Sequence, residues 1–198
     1  MAVVTTSQLN EAASDEHLIA RFLRGDRVAL GELFQRYRDS AYRVAYRLLG
    51  NEADALDALQ EGFIKALTHL HGFERRSSFK TWLLRIVSNA ALDLGRQRSR
   101  REMLSLQVAQ RQDQVPGTSP VAADPVQEAE QADLRQALDA ALAELPDAQR
   151  RTFVLHVDGG LSYREVAAVM KISIGTVMSR LFYARQKLKG MLGSRINV

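Results

Sequence analysis

The 198-residue chain contains no cysteine. Disulfide bonds, thiolate nucleophiles and cysteine-ligated zinc are therefore excluded. No apolar run approaches the ~20 residues that a membrane-spanning helix needs. The N-terminus also lacks the basic start and the apolar core of a secretory signal. These absences predict a cytoplasmic protein with no insertion into the membrane.

Proline is also scarce, and three of the four prolines fall within residues 102–127. Elsewhere the apolar residues recur at three-to-four spacing, which is typical of amphipathic helices. We therefore predict an all-α fold, with a four-helix bundle over residues 15–101 and a four-helix domain over residues 128–198. We expect residues 1–14 to be a disordered tail and residues 102–127 to be a flexible linker.

Acidic residues are rare at the C-terminal end, where residues 150–198 carry nine basic and two acidic side chains. Residues 73–101 carry eight basic and two acidic side chains, whereas residues 102–149 carry two basic and nine acidic ones. Two basic blocks indicate a polyanionic partner with two points of contact. Charge alone is equally compatible with solvated helix faces.

The C-terminal basic block contains the pattern of a helix-turn-helix. Ser162 and Glu165 form a Ser-x-x-Glu capping box that begins a short helix, and a tight turn then leads into a longer basic helix. Such a second helix lies in the major groove of DNA. The side chains that could bond phosphates or bases are Ser162, Tyr163, Thr176, Ser179, Arg180, Tyr183 and Lys187. The alternative is a plain helical hairpin with a charged solvent face.

This segment closely resembles region four of the extracytoplasmic-function (ECF) sigma factors. The matching residues are Leu145-Pro146, Gly160-Leu161-Ser162-Tyr163, Gly175-Thr176-Val177 and Ser179-Arg180-Leu181. The resemblance implies recognition of the minus-thirty-five promoter element and contact with the beta flap of RNA polymerase. The chain departs from the family at Met178 and Tyr183, where basic residues are usual. Base preference stays open, because long basic side chains are the usual guanine readers.

An acidic stripe lies on the third predicted helix, where Asp54, Asp57 and Glu61 share one face. It suits a basic partner surface, although in isolation a solvated helix face is the better explanation. The segment resembles region two of the same family. The resemblance implies that Asp57, Gln60 and Glu61 dock on the beta-prime clamp helices of core RNA polymerase.

The only tryptophan, Trp82, lies in a second segment that resembles region two. The shared signature is Phe79-x-x-Trp82-Leu83, Asn89 and Asp93-x-x-Arg96. The resemblance implies recognition and melting of the minus-ten element. The implied DNA-binding residues are Phe73, Arg75, Arg76, Ser77, Lys80, Trp82, Arg85, Asn89 and Arg96.

Elementary chemistry agrees with that role, because unpaired bases stack on aromatic rings and bond to amide and guanidinium groups. The loop over residues 73–78 is a candidate pocket for a flipped base. The alternative is that Trp82 and Phe79 fill the core beneath the loop. We expect Asp93 to be a structural partner for a nearby arginine.

The resemblance implies a transcription initiation factor that brings core RNA polymerase to promoter DNA. We predict no enzymatic activity, cofactor, metal or small-molecule substrate, because the histidines lack ligand spacing and no glycine-rich phosphate loop is present. An anti-sigma factor, commonly membrane-anchored in the family, is a further expected partner and could hold the chain at the membrane. Two alternatives are a stand-alone helix-turn-helix regulator with a helical sensor domain, and a helical enzyme or adaptor without a DNA role.

Overall fold

The computed structural model describes residues 13–108 and 127–193, and every regular element in these ranges is helical. The elements are α1 (Asp15–Leu23), α2 (Arg27–Leu49), α3 (Glu52–His69), α4 (Phe79–Val108), α5 (Gln127–Ala143), α6 (Asp147–Val157), α7 (Tyr163–Met170) and α8 (Ile174–Leu192), with a 3₁₀ turn at Leu70–Gly72. The all-α prediction, with four helices before the predicted linker and four after it, is confirmed. Nearly all of the predicted tail, and the predicted linker from residue 109 to residue 126, lie outside the described residues.

Helix α4 is longer than the sequence pattern predicts. It continues through Val108, so residues 102–108 are helical, although we assigned them to the linker. This stretch contains no glycine or proline and is rich in good helix formers, so nothing in it stops the helix. The division into domains over residues 15–101 and 128–198 stays a prediction.

The chain divides into two compact units, and the boundary falls within α2. The first unit ends at Asp39 and the second begins at Ser40. In the first unit, Arg36 and Tyr37 both donate hydrogen bonds to the carboxylate of Asp15. These bonds fasten α1 to the first half of α2.

Within the second unit, α3 packs closely on α4 through a face of small residues. The buried small residues of α3 are Ala55, Ala58, Gly62 and Ala66. A Cβ atom at Gly62 would lie 2.7 Å from a side-chain atom of Val87, so only glycine fits at this contact. The leucine spacing predicts Leu56 on the buried face, but its side chain is 43% exposed. The face of alanine and glycine residues, rather than Leu56, packs on α4 because small side chains let the two helix backbones approach closely.

The C-terminal helices pack around one face of α8. The buried residues of α8 are Val177, Leu181, Ala184, Leu188 and Leu192, which follow one another at three-to-four spacing. The opposite face of α8 is exposed. In the described part of the chain, no single helix is long and apolar enough to cross a bilayer, and only α7 and α8 taken together reach that measure, with a bend of 104° between them.

Candidate nucleic-acid interface

Helices α7 and α8 form the predicted helix-turn-helix. The capping box is present, because the N–H of Ser162 donates to Glu165 Oε2 at 2.9 Å and the N–H of Glu165 donates to Ser162 Oγ at 3.3 Å. Lys171 ends α7 in the left-handed region, with φ +55°. Ser173 then caps α8 by accepting the N–H of Thr176 at 3.0 Å. Local side-chain chemistry thus fixes both ends of the turn.

The structure brings only part of the predicted DNA-binding set of this motif onto one exposed face. Ser179 and Tyr183 are exposed on the outer side of α8, and Arg180 lies half-buried at its edge. Two further residues are engaged elsewhere. The Tyr163 ring packs edge-on against His156 at 4.9 Å, and the Lys187 ammonium donates to the carbonyl oxygen of Glu144.

The other members of this set hold the helix ends. Ser162 is exposed as the N-cap of α7. The Thr176 hydroxyl is half-buried and lies 2.9 Å from Ser173 Oγ. Met178 is exposed on the same outer face, and sequence reasoning missed that Phe182 is exposed there as well. Their departure from the buried spacing of α8 was the available signal.

The second predicted DNA-binding set centres on a cleft between α3 and α4. The cleft has a volume of about 480 Å³. Its lining residues are Lys65, His69, Gly72, Trp82, Arg85, Ile86, Asn89 and Asp93. The spacing on α4 predicts that Trp82, Arg85, Asn89 and Arg96 share one face. The first three line this cleft, whereas Arg96 does not. The sequence did not predict that Lys65 and His69 of α3 contribute to it.

Aromatic rings support one wall of this cleft. The Trp82 ring lies 5.1 Å from the Phe73 ring and 5.7 Å from the Phe79 ring. Phe79 is buried, which confirms that it fills the core beneath the loop, whereas Trp82 is half-buried and faces the cleft as well. Trp82 therefore contributes to the packing beneath the loop and also lines the cleft, and its contact with DNA stays a prediction.

The loop before α4 keeps its basic side chains in solvent. Arg75 and Arg76 are exposed, and Arg76 Nε lies 2.6 Å from the Glu74 carboxylate. Arg75 adopts a left-handed φ of +55°. Ser77 is half-buried. None of these side chains lines the cleft.

Two further members of this set lie away from the cleft. Lys80 is half-buried, and its Nζ atom would lie 3.1 Å from a Cβ atom at Gly160. Arg96 lies in a separate depression and bonds Asp93 at 3.4 Å. This ion pair confirms the prediction that Asp93 is a partner for a nearby arginine.

Asn89 already has a partner within the chain. Arg151 of α6 donates through Nη2 to Asn89 Oδ1, and to Ser88 Oγ at 3.1 Å. Burial, reinforced by the positive charge of Arg96, lowers the pKa of Arg151. Among the described residues, the Arg151 Nε atom is buried without a hydrogen-bond partner. Burial of the Arg151 cation carries a desolvation penalty, which offsets part of the free energy gained from its hydrogen bonds.

A second contact joins α4 to α7. The hydroxyl of Thr81, whose side chain is almost fully buried, donates to Glu165 Oε1 at 2.6 Å. Burial alone would raise the pKa of Glu165, but hydrogen bonds from Thr81, Ser162 and Ser78 outweigh it and lower the pKa. The carboxylate that caps α7 is thus also the acceptor for α4.

The predicted docking residues lie on the exposed side of α3, whereas Asp54 of the acidic stripe is half-buried and pairs with Arg98 at 3.1 Å. Asp57, Gln60 and Glu61 are all exposed, and Glu61 pairs with Lys65 one turn later at 2.6 Å. Such a solvent-exposed pair contributes little to stability. Exposed Ile64 lies beside these residues, as does the exposed Leu56. The face is therefore a mixed acidic and apolar surface rather than a purely acidic one.

Two family models match the chain. Sigma-70 region 2 matches residues 33–101, and Sigma-70 region 4 matches residues 135–188. The two matches together cover more than half of the chain and contain both the cleft beside α4 and the helix-turn-helix. They define a transcription factor of the sigma-70 class.

Curated relatives narrow this class. The chain is 38% identical to the ECF sigma factor SigE of Mycolicibacterium smegmatis over 85% of its own length, and it spans 64% of that protein. It is 31% identical to SigW of Bacillus subtilis over 88% of its length, spanning 94% of SigW. The chain belongs to the ECF RNA polymerase sigma factors.

A solved structure agrees with this assignment. The sigma factor RpoE of Bartonella quintana, crystallised with the anti-sigma factor NepR, aligns with a TM-score of 0.65 and 25% identity. The alignment covers 84% of this chain and 98% of that one.

Membership of the sigma factor family determines the biological activity of the chain. The chain is a sigma factor that binds core RNA polymerase and directs it to promoters, and it is not an enzyme. These predictions are confirmed. The stand-alone regulator and the helical enzyme or adaptor are therefore excluded as alternatives.

Proposed function

We propose that α8 and the cleft beside α4 contact two different elements of one promoter while α3 holds the polymerase. The observation that carries this proposal is the convergence of Trp82, Arg85 and Asn89 on one cleft of a basic helix. That cleft differs in chemistry from the outer face of α8. An aromatic wall with amide and guanidinium groups suits an unpaired base, whereas an exposed helix after a tight turn suits duplex DNA.

Helix α8 reads the minus-thirty-five element in the major groove. Ser179 and Tyr183 are exposed towards the duplex, and Arg180 lies at the edge of the face, where it contacts a phosphate or a base. Ser162 and Thr176 act at the helix ends, close to the backbone. Tyr163 and Lys187 contribute only after leaving their present contacts.

The cleft beside α4 binds an unpaired base of the minus-ten element. A base stacks against Trp82, and the stack is worth about 1–3 kcal/mol. Arg85 and Asn89 bond its polar edge. Phe73 supports the Trp82 ring from behind. The exposed Arg75 and Arg76, together with Ser77, Lys80 and Arg96, contact the phosphates of the flanking strand.

The exposed face of α3 docks on the beta-prime clamp helices of core polymerase. Asp57 and Glu61 supply negative charge, Gln60 adds an amide, and the apolar Leu56 and Ile64 are buried on docking. The C-terminal helices contact the beta flap. An anti-sigma factor is a further partner in this proposal, as NepR is for RpoE of Bartonella quintana. The site of action is the cytoplasm.

Permanganate footprinting of the reconstituted holoenzyme on a supercoiled promoter tests the role of the cleft. Asn89→Ala removes the amide that faces the cleft, so we expect thymines near the minus-ten element to lose most of their reactivity while duplex binding persists. Gln97→Ala is the matched control, because Gln97 is an exposed amide on the same helix outside the cleft. Normal bubble formation with Asn89→Ala would overturn the proposal.

A further inference from the structure

The outer face of α8 carries a line of large apolar side chains. Ile174, Met178 and Phe182 follow one another at intervals of four residues and therefore share one face. Their side chains are 41%, 55% and 56% exposed, respectively. Such aligned exposure on a folded surface marks a binding surface more often than chance. We name these three residues the apolar line.

The surroundings of the apolar line indicate what covers it. Helix α8 contains no aspartate or glutamate, and its polar side chains are hydroxyls, amides and cations. Ser179 and Tyr183 flank the line on the exposed face, and Arg180 lies at its edge. A surface without negative charge suits a polyanion, so the charges favour DNA as the occupant over an apolar protein segment.

Within DNA, only one feature of the major groove matches the apolar line. A thioether and a phenyl ring donate no hydrogen bond, so they give guanine O6 and N7 nothing to accept. The 5-methyl group of thymine is the apolar group that the major groove presents. Methionine also adapts well to irregular apolar partners, because it is unbranched and polarisable.

The spacing of the line agrees with the geometry of the duplex. Four residues advance a helix by about 6 Å. Bases along one strand repeat every ~3.4 Å. Met178 and Phe182 therefore reach bases about two steps apart, provided that the helix follows the groove.

We infer that Met178, supported by Phe182, reads the 5-methyl group of one thymine in the duplex element that α8 contacts. This inference rests on the proposed function of α8 and specifies its base preference. It assigns a thymine where an arginine or lysine at position 178 would select guanine.

The test begins by selecting the preferred duplex element from a randomised library with the reconstituted holoenzyme. Each thymine of the selected element is then replaced singly by deoxyuridine, which removes only the 5-methyl group. We expect one position to lower the affinity of the wild-type holoenzyme about fourfold, the value of one buried methyl group. Met178→Ala lowers the affinity for the thymine element by a similar factor and abolishes the response to deoxyuridine at that position.

Met191→Ala provides the matched control. Met191 is an exposed methionine of the same helix that lies off the apolar line. Its variant keeps the full response to deoxyuridine. A second variant, Met178→Arg, shifts the selected base at the same position from thymine to guanine.

Three outcomes separate the inference from the function on which it rests. If the wild-type holoenzyme selects no duplex element, the proposed role of α8 is wrong. If an element is selected but no thymine responds to deoxyuridine, only the methyl-reading inference is overturned. If Met178→Ala leaves both affinity and the deoxyuridine response unchanged, Met178 does not read the methyl group, which also overturns it.

Discussion

The two candidate DNA-binding surfaces differ in what already contacts them. On α8, the residues that face outward are exposed and project from a helix held by its own caps. On α4, Asn89, which lines the cleft, accepts a hydrogen bond from Arg151 of α6. Thr81 of the same helix donates a hydrogen bond to Glu165 of α7. The outer face of α8 is exposed, whereas a residue that lines the cleft beside α4 already has a partner in the same chain.

This difference has a thermodynamic consequence. Arg151 donates to Asn89 Oδ1, so a DNA base that donates to the same oxygen competes with Arg151 for it. If only molecules with a broken Arg151–Asn89 contact bind DNA, the apparent affinity equals the intrinsic affinity multiplied by the fraction of such molecules. The comparison therefore predicts that α8 variants and α6 variants act in opposite directions.

The largest expected effect is the loss of polymerase binding, which would keep both DNA-binding surfaces from reaching promoters. Asp57→Arg combined with Glu61→Arg places two positive charges where the docking proposal needs negative ones, and like charges across an interface cost several kcal/mol. We expect association with core polymerase to fall at least about 100-fold in a native gel or by fluorescence anisotropy. Glu16→Arg, an exposed reversal on α1, should bind normally. Unchanged association of the double variant would contradict the docking face.

The next variant tests the exposed surface alone. Arg180→Ala should weaken holoenzyme binding to the duplex element about tenfold, because one charge-assisted contact is lost. Core polymerase binding should stay intact. Lys189→Ala, an exposed cation further along α8, is the control. Equal promoter occupancy for Arg180→Ala and the wild type would remove Arg180 from the interface.

In the cleft beside α4, a variant that removes the internal contact should strengthen DNA binding rather than weaken it. Arg151→Ala frees Asn89, so the sigma factor without polymerase should bind a single-stranded minus-ten oligonucleotide about fivefold more tightly, as the loss of one competing hydrogen bond predicts. Arg150→Ala is the matched control, because the neighbouring guanidinium bonds Asp147 instead. An unchanged or lower affinity for Arg151→Ala would show that the contact does not compete with DNA.

The smallest expected effect concerns the contact between α4 and α7. The pKa of Glu165 is lower in the folded chain than its usual value of 4.5, so this carboxylate stabilises the fold above pH 4.5. That contribution disappears as pH falls below 4.5 through the folded pKa. Because Glu165 is partly exposed, we expect less than about 1 kcal/mol. Glu165→Gln should remove this part of the pH dependence in urea titrations between pH 5 and 3, and identical slopes would contradict it.

Local signals predicted the parts of the structure that local chemistry determines. The capping box at Ser162, the turn before Ser173 and the buried spacing of α8 involve residues only a few positions apart, so sequence patterns captured them. Three of the α4 residues that line the cleft, Trp82, Arg85 and Asn89, were predicted because they repeat along one helix face.

Contacts between distant residues escaped prediction. The bond from Arg151 to Asn89 joins residues 62 positions apart, and the bond from Thr81 to Glu165 joins residues 84 apart. No periodicity encodes such pairs. Leu56 was wrongly assigned to the buried face of α3, because leucine spacing outweighed the small residues that allow close helix packing. The length of α4 was underestimated because proline in the following segment suggested an earlier stop.

Site-specific photocrosslinking in the assembled holoenzyme tests the central claim most directly. A photoreactive amino acid is placed at position 183 on α8 or at position 82 beside the cleft, and the crosslinked bases are mapped on one promoter. The account predicts that position 183 crosslinks to the upstream duplex element, whereas position 82 crosslinks to the separated strand of the downstream element. Crosslinks from both positions to the same element, or none from position 82 to an unpaired base, would contradict it.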